Sequence, residues 1–245
     1  MWAAYRCFAD EATLRPGGLT LSEEEARHLS AVRRVNAGDE VDVFNGRGQT
    51  ARGTVLRAGK RDVVLCLGEP VTHPRPDPDI TLVIGGLKQS AWDEMLRHAV
   101  ELGVNRILRV QTDHTVAEVR EGKSQAKLAR WRERTLQAVK QSANPWLPEL
   151  EMAASTADAY AALGAETVQF VAALSGEATP PLPLSPAEAA SPLALWVGPE
   201  GDFSQSELEF LRERGVRFVT LGPRILRAET AALSWIAALR LTAGM

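Results

Sequence analysis

Two glycine-centred stretches near the C-terminus decide the fold: LALWVGPEGDFS at residues 193–204 and RFVTLGPRILRAETA at residues 217–231. In each, a short apolar run leads into a tight glycine-proline turn, and a helical pattern follows. Strand, turn and helix in that order are typical of an α/β fold with a parallel sheet. Ligands bind such folds at the carboxyl ends of the strands, so the two turns predict one composite pocket for a nucleotide-like cofactor.

The same rhythm continues through the C-terminal two thirds of the chain. Gly103 at a C′ position ends one helical pattern, and a capping box at Ser204 and Glu207 begins another. The last predicted helix, at residues 231–241, is rich in Ala and Leu. Residues 180–192 are of low complexity and are predicted to form a surface loop. Short apolar runs that indicate buried parallel strands lie at 80–84, 106–110, 168–174, 193–197 and 217–221.

A β-rich pattern precedes residue 73. Within this β-rich part, one helix begins at a capping box formed by Ser22 and Glu25. The sequence HPRPDPD at residues 73–79 then places three prolines within five residues, which favours an extended, semi-rigid linker. We therefore predict a β-rich domain at 1–72, a linker at 73–79 and an α/β domain at 80–245. The strand candidates of the first domain are 41–44, 50–56 and 62–67.

Composition places the chain among ordinary globular proteins, with 45% hydrophobic and 24% charged residues in 245. The longest apolar runs are too short to span a bilayer, and no signal peptide is evident, so a cytoplasmic location and no membrane partner are expected. Cys7 and Cys66 are far apart in sequence, and the four histidines are scattered. We therefore expect neither a structural disulfide nor a metal site.

Charge is strongly segregated along the chain despite a net charge of −3. Residues 141–211 contain no Lys or Arg, whereas residues 88–140 carry eleven basic and seven acidic groups. Such a local basic patch is compatible with nucleic acid binding. The basic run at 120–134 is equally compatible with a solvated helix face.

The motifs of common nucleotide-binding and hydrolytic enzymes are absent from the sequence. The sequence GGLK at 85–88 lacks the spacing of a phosphate loop and is interpreted as a simple turn. By itself, GPEG at 198–201 suits either a tight turn or a pocket wall. Arg224, Arg227 and Glu229 favour the pocket wall, because Thr230 alone would suffice to cap the last helix. Two arginines beside a glycine turn favour an anionic partner such as RNA phosphate.

Taken together, these residues resemble a known family. GPEG followed by LGPRILRAETA is similar to the knotted SPOUT methyltransferases, which use S-adenosylmethionine. The closest resemblance is to the RsmE branch, which methylates N3 of a uridine in small-subunit (16S) ribosomal RNA. The residues that resemble its PUA-like RNA-binding domain are His28, Arg34, Gly38, Asp39 and FNG at 44–46. The residues that resemble its α/β domain are ELGV at 101–104 and QS at 141–142 with Pro148.

The resemblance implies an α/β SPOUT domain with a deep trefoil knot and a mostly parallel sheet, preceded by a PUA-like β-barrel. It also implies a homodimer that acts on ribosomal RNA or on the small ribosomal subunit, with S-adenosylmethionine as cofactor and no metal. The residues implied to bind the cofactor are Leu174, Ser175, Gly198, Pro199, Glu200, Gly201, Leu221, Gly222, Ile225, Leu226 and Ala231.

Two residues are expected to act on the uridine, namely Arg227 and Glu229. The residues expected to hold RNA phosphates are Arg34, Arg120, Lys123, Lys127 and Arg224. Two other functions stay open: a SPOUT enzyme that acts on another RNA such as transfer RNA, and a non-catalytic dimeric RNA-binding module.

The chain also departs from the family pattern at a few positions. His114 stands where the family usually has arginine. The sequence KQSAN at 140–144 replaces the usual Glu-Gln-Ser/Cys-Gly-Arg. We transfer no catalytic role to His114, Lys140 or Asn144.

Overall fold

The computed structural model describes residues 5–115, 124–173, 178–180 and 183–242. Backbone contacts divide the chain into two compact units. The first unit consists of residues 1–75 and 139–147, and the second consists of 76–138 and 148–245. The domain bounds predicted from the sequence, 1–72, 73–79 and 80–245, stay a prediction.

The first unit is built on a mixed sheet. Its strands follow the order β1-β3-β4-β5-β2, and β6 pairs with β4. Only the β1–β3 pairing is parallel among these ladders. Its elements are β1 (Arg6–Phe8), β2 (Gly17–Thr20), α1 (Glu23–Arg27), a π-helix (His28–Arg33), β3 (Glu40–Phe44), β4 (Gln49–Ala58), β5 (Val63–Leu67) and β6 (Val71–Thr72).

Residues 139–147 are held in the first unit by hydrogen bonds to its strands and turns. The guanidinium of Arg6 donates to the carbonyl oxygen of Val139 at 2.9 Å. Gly48 N donates to Pro145 O at 3.1 Å, and Leu147 N donates to Gly46 O at 3.0 Å. This stretch therefore completes a unit whose strands all lie more than sixty residues earlier in the chain.

A buried ion pair adds to this attachment. The Lys140 ammonium contacts Glu25 Oε1, and the two side chains are 9% and 5% exposed. The other carboxylate oxygen of Glu25 accepts a hydrogen bond from Phe8 N at 3.1 Å. Glu25 therefore forms only half of the predicted capping box: Ser22 caps α1 by accepting from Glu25 N, while the Glu25 carboxylate is used elsewhere.

The second unit alternates strands and helices, as the sequence predicts. Helix α3 extends beyond it, since its last residues belong to the first unit. The elements are β7 (Ile80–Gly85), α2 (Gln89–Glu101), β8 (Arg106–Val110), α3 (Ser124–Ser142), β9 (Glu149–Ala153), α4 (Thr156–Ala161), β10 (Val168–Ala172), α5 (Pro186–Ala189), β11 (Leu193–Val197), α6 (Gln205–Glu213), β12 (Arg217–Val219) and α7 (Ala228–Thr242).

All ladders of the second sheet are parallel, and the strand order is β12-β10-β11-β7-β8-β9. Both faces are covered, which explains why its strands are continuous apolar runs. Ile80, Leu82 and Ile84 of β7 pack in one core with α2 and α7, whereas Val83 packs on the opposite face in the core that includes Leu211 of α6.

Arg240 of α7 anchors the C-terminal helix to this unit. Its side chain is 4% exposed and donates to Pro78 O at 2.7 Å, and to Gly103 O and Asn105 Oδ1 at 2.6 Å each. Asn105 Oδ1 also accepts from Ile80 N at 3.0 Å. One guanidinium therefore joins the last helix, the end of α2 and the start of the central strand.

Several boundaries differ from the sequence predictions. The loop predicted at 180–192 contains helix α5, which begins at a full capping box formed by Ser185 and Glu188. Helix α7 begins at Ala228, so Thr230 lies inside it and does not cap it. Strands β10 and β12 are shorter than predicted, ending at Ala172 and Val219.

The buried ion pair gives a stability prediction. The substitution Lys140→Glu installs the glutamate that the family resemblance implies at this position and places two carboxylates together in a buried site. Removing one partner of a buried pair costs about 3–5 kcal/mol, so we expect a large fall in the urea midpoint of the full chain. The charge-swapped double variant, Glu25→Lys with Lys140→Glu, should recover part of that loss. The exposed Lys60 provides the control Lys60→Glu; an equal fall in that variant would contradict a specific role for the pair.

Candidate cofactor site

A cavity of about 610 Å³ lies at the carboxyl ends of β10, β11 and β12. Its walls are the loops that follow β11 and β12, together with the first turns of α2 and α7. Its volume is in the range of small-molecule sites, roughly 300–1,000 Å³. The lining residues are Lys88, Ser90, Ala91, Ala172, Ala173, Val197, Gly198, Pro199, Glu200, Asp202, Val219, Thr220, Leu221, Gly222, Arg224, Ile225, Leu226, Arg227, Ala228, Glu229 and Ala231.

Glycines allow the first loop to pass close to the central strand. A Cβ atom on Gly85, the last residue of β7, would lie 2.5 Å from the backbone nitrogen of Pro199. A Cβ atom on Gly198 would lie 2.7 Å from Asp202 Oδ1. Gly86 in turn makes room for the Arg109 guanidinium. The GGLK stretch, which joins the end of β7 to the start of α2 and is predicted to be a simple turn, therefore also serves close packing.

The first loop is a tight turn with its own hydrogen bonds. Asp202 N donates to Pro199 O at 2.9 Å, and Asp202 adopts a left-handed φ of 59°. Glu200 Oε1 accepts from Lys88 N at 3.3 Å. Lys88 is the N-cap of α2 and makes no side-chain cap of its own, so Glu200 satisfies a free N–H group at the start of that helix. This carboxylate therefore lines the cavity and also supports its wall.

The second loop combines a constrained start with an exposed tip. Thr220 Oγ1 accepts from Gly222 N at 3.3 Å and donates to Gly222 O at 3.0 Å. Leu221 and Leu226 pack against the main core. Between them, Ile225 is 84% exposed although it lines the cavity.

Arg227 and Glu229 lie together at the rim of the cavity. The Arg227 side chain is 86% exposed and its Nη1 is 4.0 Å from Glu229 Oε1, while Glu229 is 18% exposed. Such a pair leaves most guanidinium donors directed to solvent or ligand. The arrangement suits the recognition of an oxygen that gains negative charge beside the cavity.

The structure brings together most of the predicted cofactor residues. Eight of them line the cavity: Gly198, Pro199, Glu200, Leu221, Gly222, Ile225, Leu226 and Ala231. Gly201 is absent from the described lining and contacts His114. Leu174 and Ser175 lie outside the described residues.

Sequence reasoning missed other lining residues, notably Ala172 and Ala173 at the end of β10 and Ser90 and Ala91 in α2. At these positions the sequence indicates only the end of a strand and the start of a helix. These small side chains leave space, and they carry no chemical signature that a motif would report.

The predicted phosphate-binding residues fall in both units. Arg34 is exposed in the first unit, just after the π-helix. In the second unit, Arg224 lines the cavity and Lys127 lies on α3, where burial and the charges of Arg109 and Arg130 lower its pKa. Arg120 and Lys123 lie outside the described residues.

Among the described residues, His, Cys, Asp and Glu side chains form no group of three or more that could hold a metal ion. No described helix is long and apolar enough to cross a membrane. Cys7 and Cys66 are free thiols.

Comparisons with known proteins agree with this geometry. A family model described as an RNA methyltransferase domain matches residues 74–240, and one described as an RNA methyltransferase PUA domain matches residues 21–65. The chain is 30% identical to ribosomal RNA small subunit methyltransferase E of Aquifex aeolicus, covering 90% of this chain and 93% of that one. It is also 30% identical to the enzyme of that name from Mycobacterium bovis, covering 85% and 80%.

Solved structures extend the similarity to the fold. A ribosomal RNA small subunit methyltransferase E from Neisseria gonorrhoeae, bound to S-adenosylmethionine, superposes with a TM-score of 0.88 at 26% identity over 98% of both chains. A protein from Legionella pneumophila, solved in complex with the same cofactor, has a TM-score of 0.85 at 25% identity, over 96% of both chains.

The contact between Gly85 and Pro199 gives a prediction for the cavity. The substitution Gly85→Ala should displace the first loop, because overpacking costs about 1–3 kcal/mol. If this cost opposes the shape of the loop that binds cofactor, S-adenosylmethionine should bind roughly 5- to 150-fold more weakly by calorimetry. Gly18→Ala is the matched control, since nothing lies within 4 Å of its added Cβ. Unchanged cofactor affinity in Gly85→Ala would show that this contact does not shape the cavity.

Proposed function

Because the chain belongs to the RNA methyltransferase family, we propose that it transfers the methyl group of S-adenosylmethionine to N3 of a uridine in small-subunit (16S) ribosomal RNA. The observation that carries the proposal is the cavity formed by the loops after β11 and β12. The structure that superposes with a TM-score of 0.88 is a ribosomal RNA methyltransferase with this cofactor bound. The family match to residues 21–65, an RNA methyltransferase PUA domain, supports an RNA substrate.

The cavity fits the chemistry of the cofactor. Apolar side chains such as Val197, Leu221 and Leu226 line it beside the carboxylates of Glu200 and Asp202. The backbone groups of its two loops offer hydrogen-bond partners for a heterocycle, and the carboxylates suit a ligand with a positive centre. The cofactor supplies a methyl group on a sulfonium, and the chain's contribution is alignment. Well-oriented reactants gain roughly 7–11 kcal/mol.

Uridine N3 carries a proton, which must leave before or during the transfer. Loss of that proton places negative charge on the N3–C=O groups of the base. We assign Arg227 to stabilise this charge, because its guanidinium lies at the cavity rim and is largely exposed. Glu229, 4.0 Å away, orients Arg227 and helps to place the uridine.

RNA phosphates are assigned to five basic residues of the chain. Arg224 lies in the cavity wall beside Arg227. Lys127 lies on α3, and its lowered pKa reflects burial and two neighbouring cations, a setting that an added phosphate would relieve. Arg34, Arg120 and Lys123 complete the proposed set. We place the reaction in the cytoplasm.

We further propose that the chain acts as a homodimer with a trefoil knot in its α/β domain, as the resemblance implies. Two exposed apolar side chains support a covered surface in the second unit: Ile225 is 84% exposed and Leu241 of α7 is 72% exposed. Sedimentation of the purified protein measures the dimer directly, and a monomer at micromolar concentration would contradict it.

The central test is a methylation assay. Unmodified small ribosomal subunits, their naked RNA and transfer RNA are incubated with the protein and labelled S-adenosylmethionine, and the product nucleoside is identified by mass. We expect 3-methyluridine in the small-subunit RNA. Methylation of transfer RNA alone would overturn the substrate. Calorimetry that detects no cofactor binding would favour a non-catalytic RNA-binding module.

The variant Arg227→Ala tests the assigned chemistry. Loss of one group that stabilises developing charge lowers turnover by about 10²–10³-fold, so we expect that fall with cofactor affinity within twofold of the wild type. Arg97, exposed on α2 and outside the cavity, provides the control Arg97→Ala. Unchanged turnover in Arg227→Ala would refute the role.

The variant Lys127→Ala tests phosphate binding. RNA affinity measured over a range of salt concentrations should fall linearly on a log–log plot. Removal of one phosphate contact should reduce that slope by about 1. A slope equal to that of the wild type would place Lys127 away from the RNA.

A further inference from the structure

His114 lies beside the cofactor loop and plays no part in the mechanism described above. It sits in the turn that follows β8, where Thr112 N donates to Thr115 Oγ1 at 3.0 Å and Thr115 N donates to Thr112 O at 3.1 Å. Both threonines are buried and His114 is exposed. The turn is therefore rigid at its ends and presents the imidazole outward.

The imidazole contacts two backbone carbonyls of the first cavity loop. His114 Nδ1 is 2.9 Å from Gly201 O and 3.1 Å from Asp202 O. A carbonyl oxygen only accepts hydrogen bonds, so Nδ1 must carry a hydrogen to satisfy either contact. This requirement holds for the neutral and the protonated ring, which makes His114 a donor in both states.

Two features of the loop explain why this contact is possible and why the loop needs it. A Cβ atom on Gly201 would lie 3.1 Å from His114 Cβ, so glycine permits the close approach. Asp202 has a φ of 59°, a conformation that is uncommon for residues other than glycine and needs support from its surroundings. Asp202 and its neighbours Gly198, Pro199 and Glu200 line the cavity.

The neighbouring residue Asp113 makes a different attachment. Its Oδ2 accepts from Ser204 Oγ at 2.5 Å, and its N–H donates to Glu207 Oε1 at 3.4 Å. Both partners form the capping box of α6. Asp113 thus holds the helix that follows the loop, whereas His114 holds the part of the loop that forms the cavity wall.

We propose that His114 is a positioning residue for S-adenosylmethionine binding: its Nδ1–H group holds the Gly201 and Asp202 carbonyls and so fixes the cavity wall at 198–202. The inference rests on the proposed function, because it concerns the cofactor of that reaction. It assigns a role to a position where the chain departs from the family's usual arginine.

The test compares His114→Ala with His114→Asn. An asparagine side chain keeps an N–H donor near the place of Nδ1, whereas alanine removes it. A single net hydrogen bond corresponds to about a fivefold change in affinity, so we expect His114→Ala to weaken S-adenosylmethionine binding about five- to tenfold by calorimetry. His114→Asn should restore affinity to within about twofold. In turnover assays the loss should appear in KM for the cofactor, with kcat and the melting temperature little changed.

A control and a second readout separate the outcomes. His98, which pairs with Glu101 on α2, provides the control His98→Ala. Hydrogen exchange at the amides of Asp202 and Phe203 should be faster in His114→Ala without cofactor. Equal affinity and exchange in His114→Ala and the wild type would overturn the inference, and so would equal losses in the Ala and Asn variants. If the wild type itself binds no S-adenosylmethionine, the proposed function fails, and the inference fails with it.

Discussion

The close approach of β7 to the loop that follows β11 is the constraint on which the site depends. Position 85 has no room for a Cβ atom because Pro199 lies against it, and position 198 has none because the loop folds back at Asp202. The loops after β11 and β12 lie at the same edge of the sheet because β12, β10, β11 and β7 are adjacent and parallel. The cavity is the space those loops leave at the strand ends, where α/β folds bind their ligands.

The structure explains the departures from the family pattern, and the residues concerned lie in both units. Lys140 pairs with buried Glu25 in the first unit. Asn144 Oδ1 accepts from Trp146 N at 2.9 Å, in the same stretch. Ala143, where the resemblance leads us to expect glycine, has a left-handed φ of 59°, a conformation that favours glycine. His114 lies in the second unit and contacts the first cavity loop.

The sequence predicts the elements whose residues carry a repeated burial pattern. Strands β8 and β11 match their predicted bounds, and Gly103 and Gly215 follow the ends of α2 and α6 with positive φ. The predictions miss β1, β2 and β9, which lie at sheet edges, and β6, which pairs with β4 alone. Each of these strands is short and is paired on one side only, so neither burial nor hydrogen bonding imposes a long pattern on its residues. The short edge strand β12 is predicted because an apolar run there leads into a glycine turn. Helix α5 was missed because its four residues have no buried face.

By itself, the sequence determined the α/β class, the two glycine loops and the chemistry of their charged residues, because apolar runs and glycine turns are set by neighbours in the chain. The tertiary structure alone decided which residues meet across long separations. It placed 139–147 in the first unit, paired Lys140 with Glu25 over 115 positions, and set His114 against Gly201 over 87. Such contacts depend on the packing of whole strands and helices. No local periodicity encodes them, which is why the contact between His114 and the first cavity loop appears only in the folded chain.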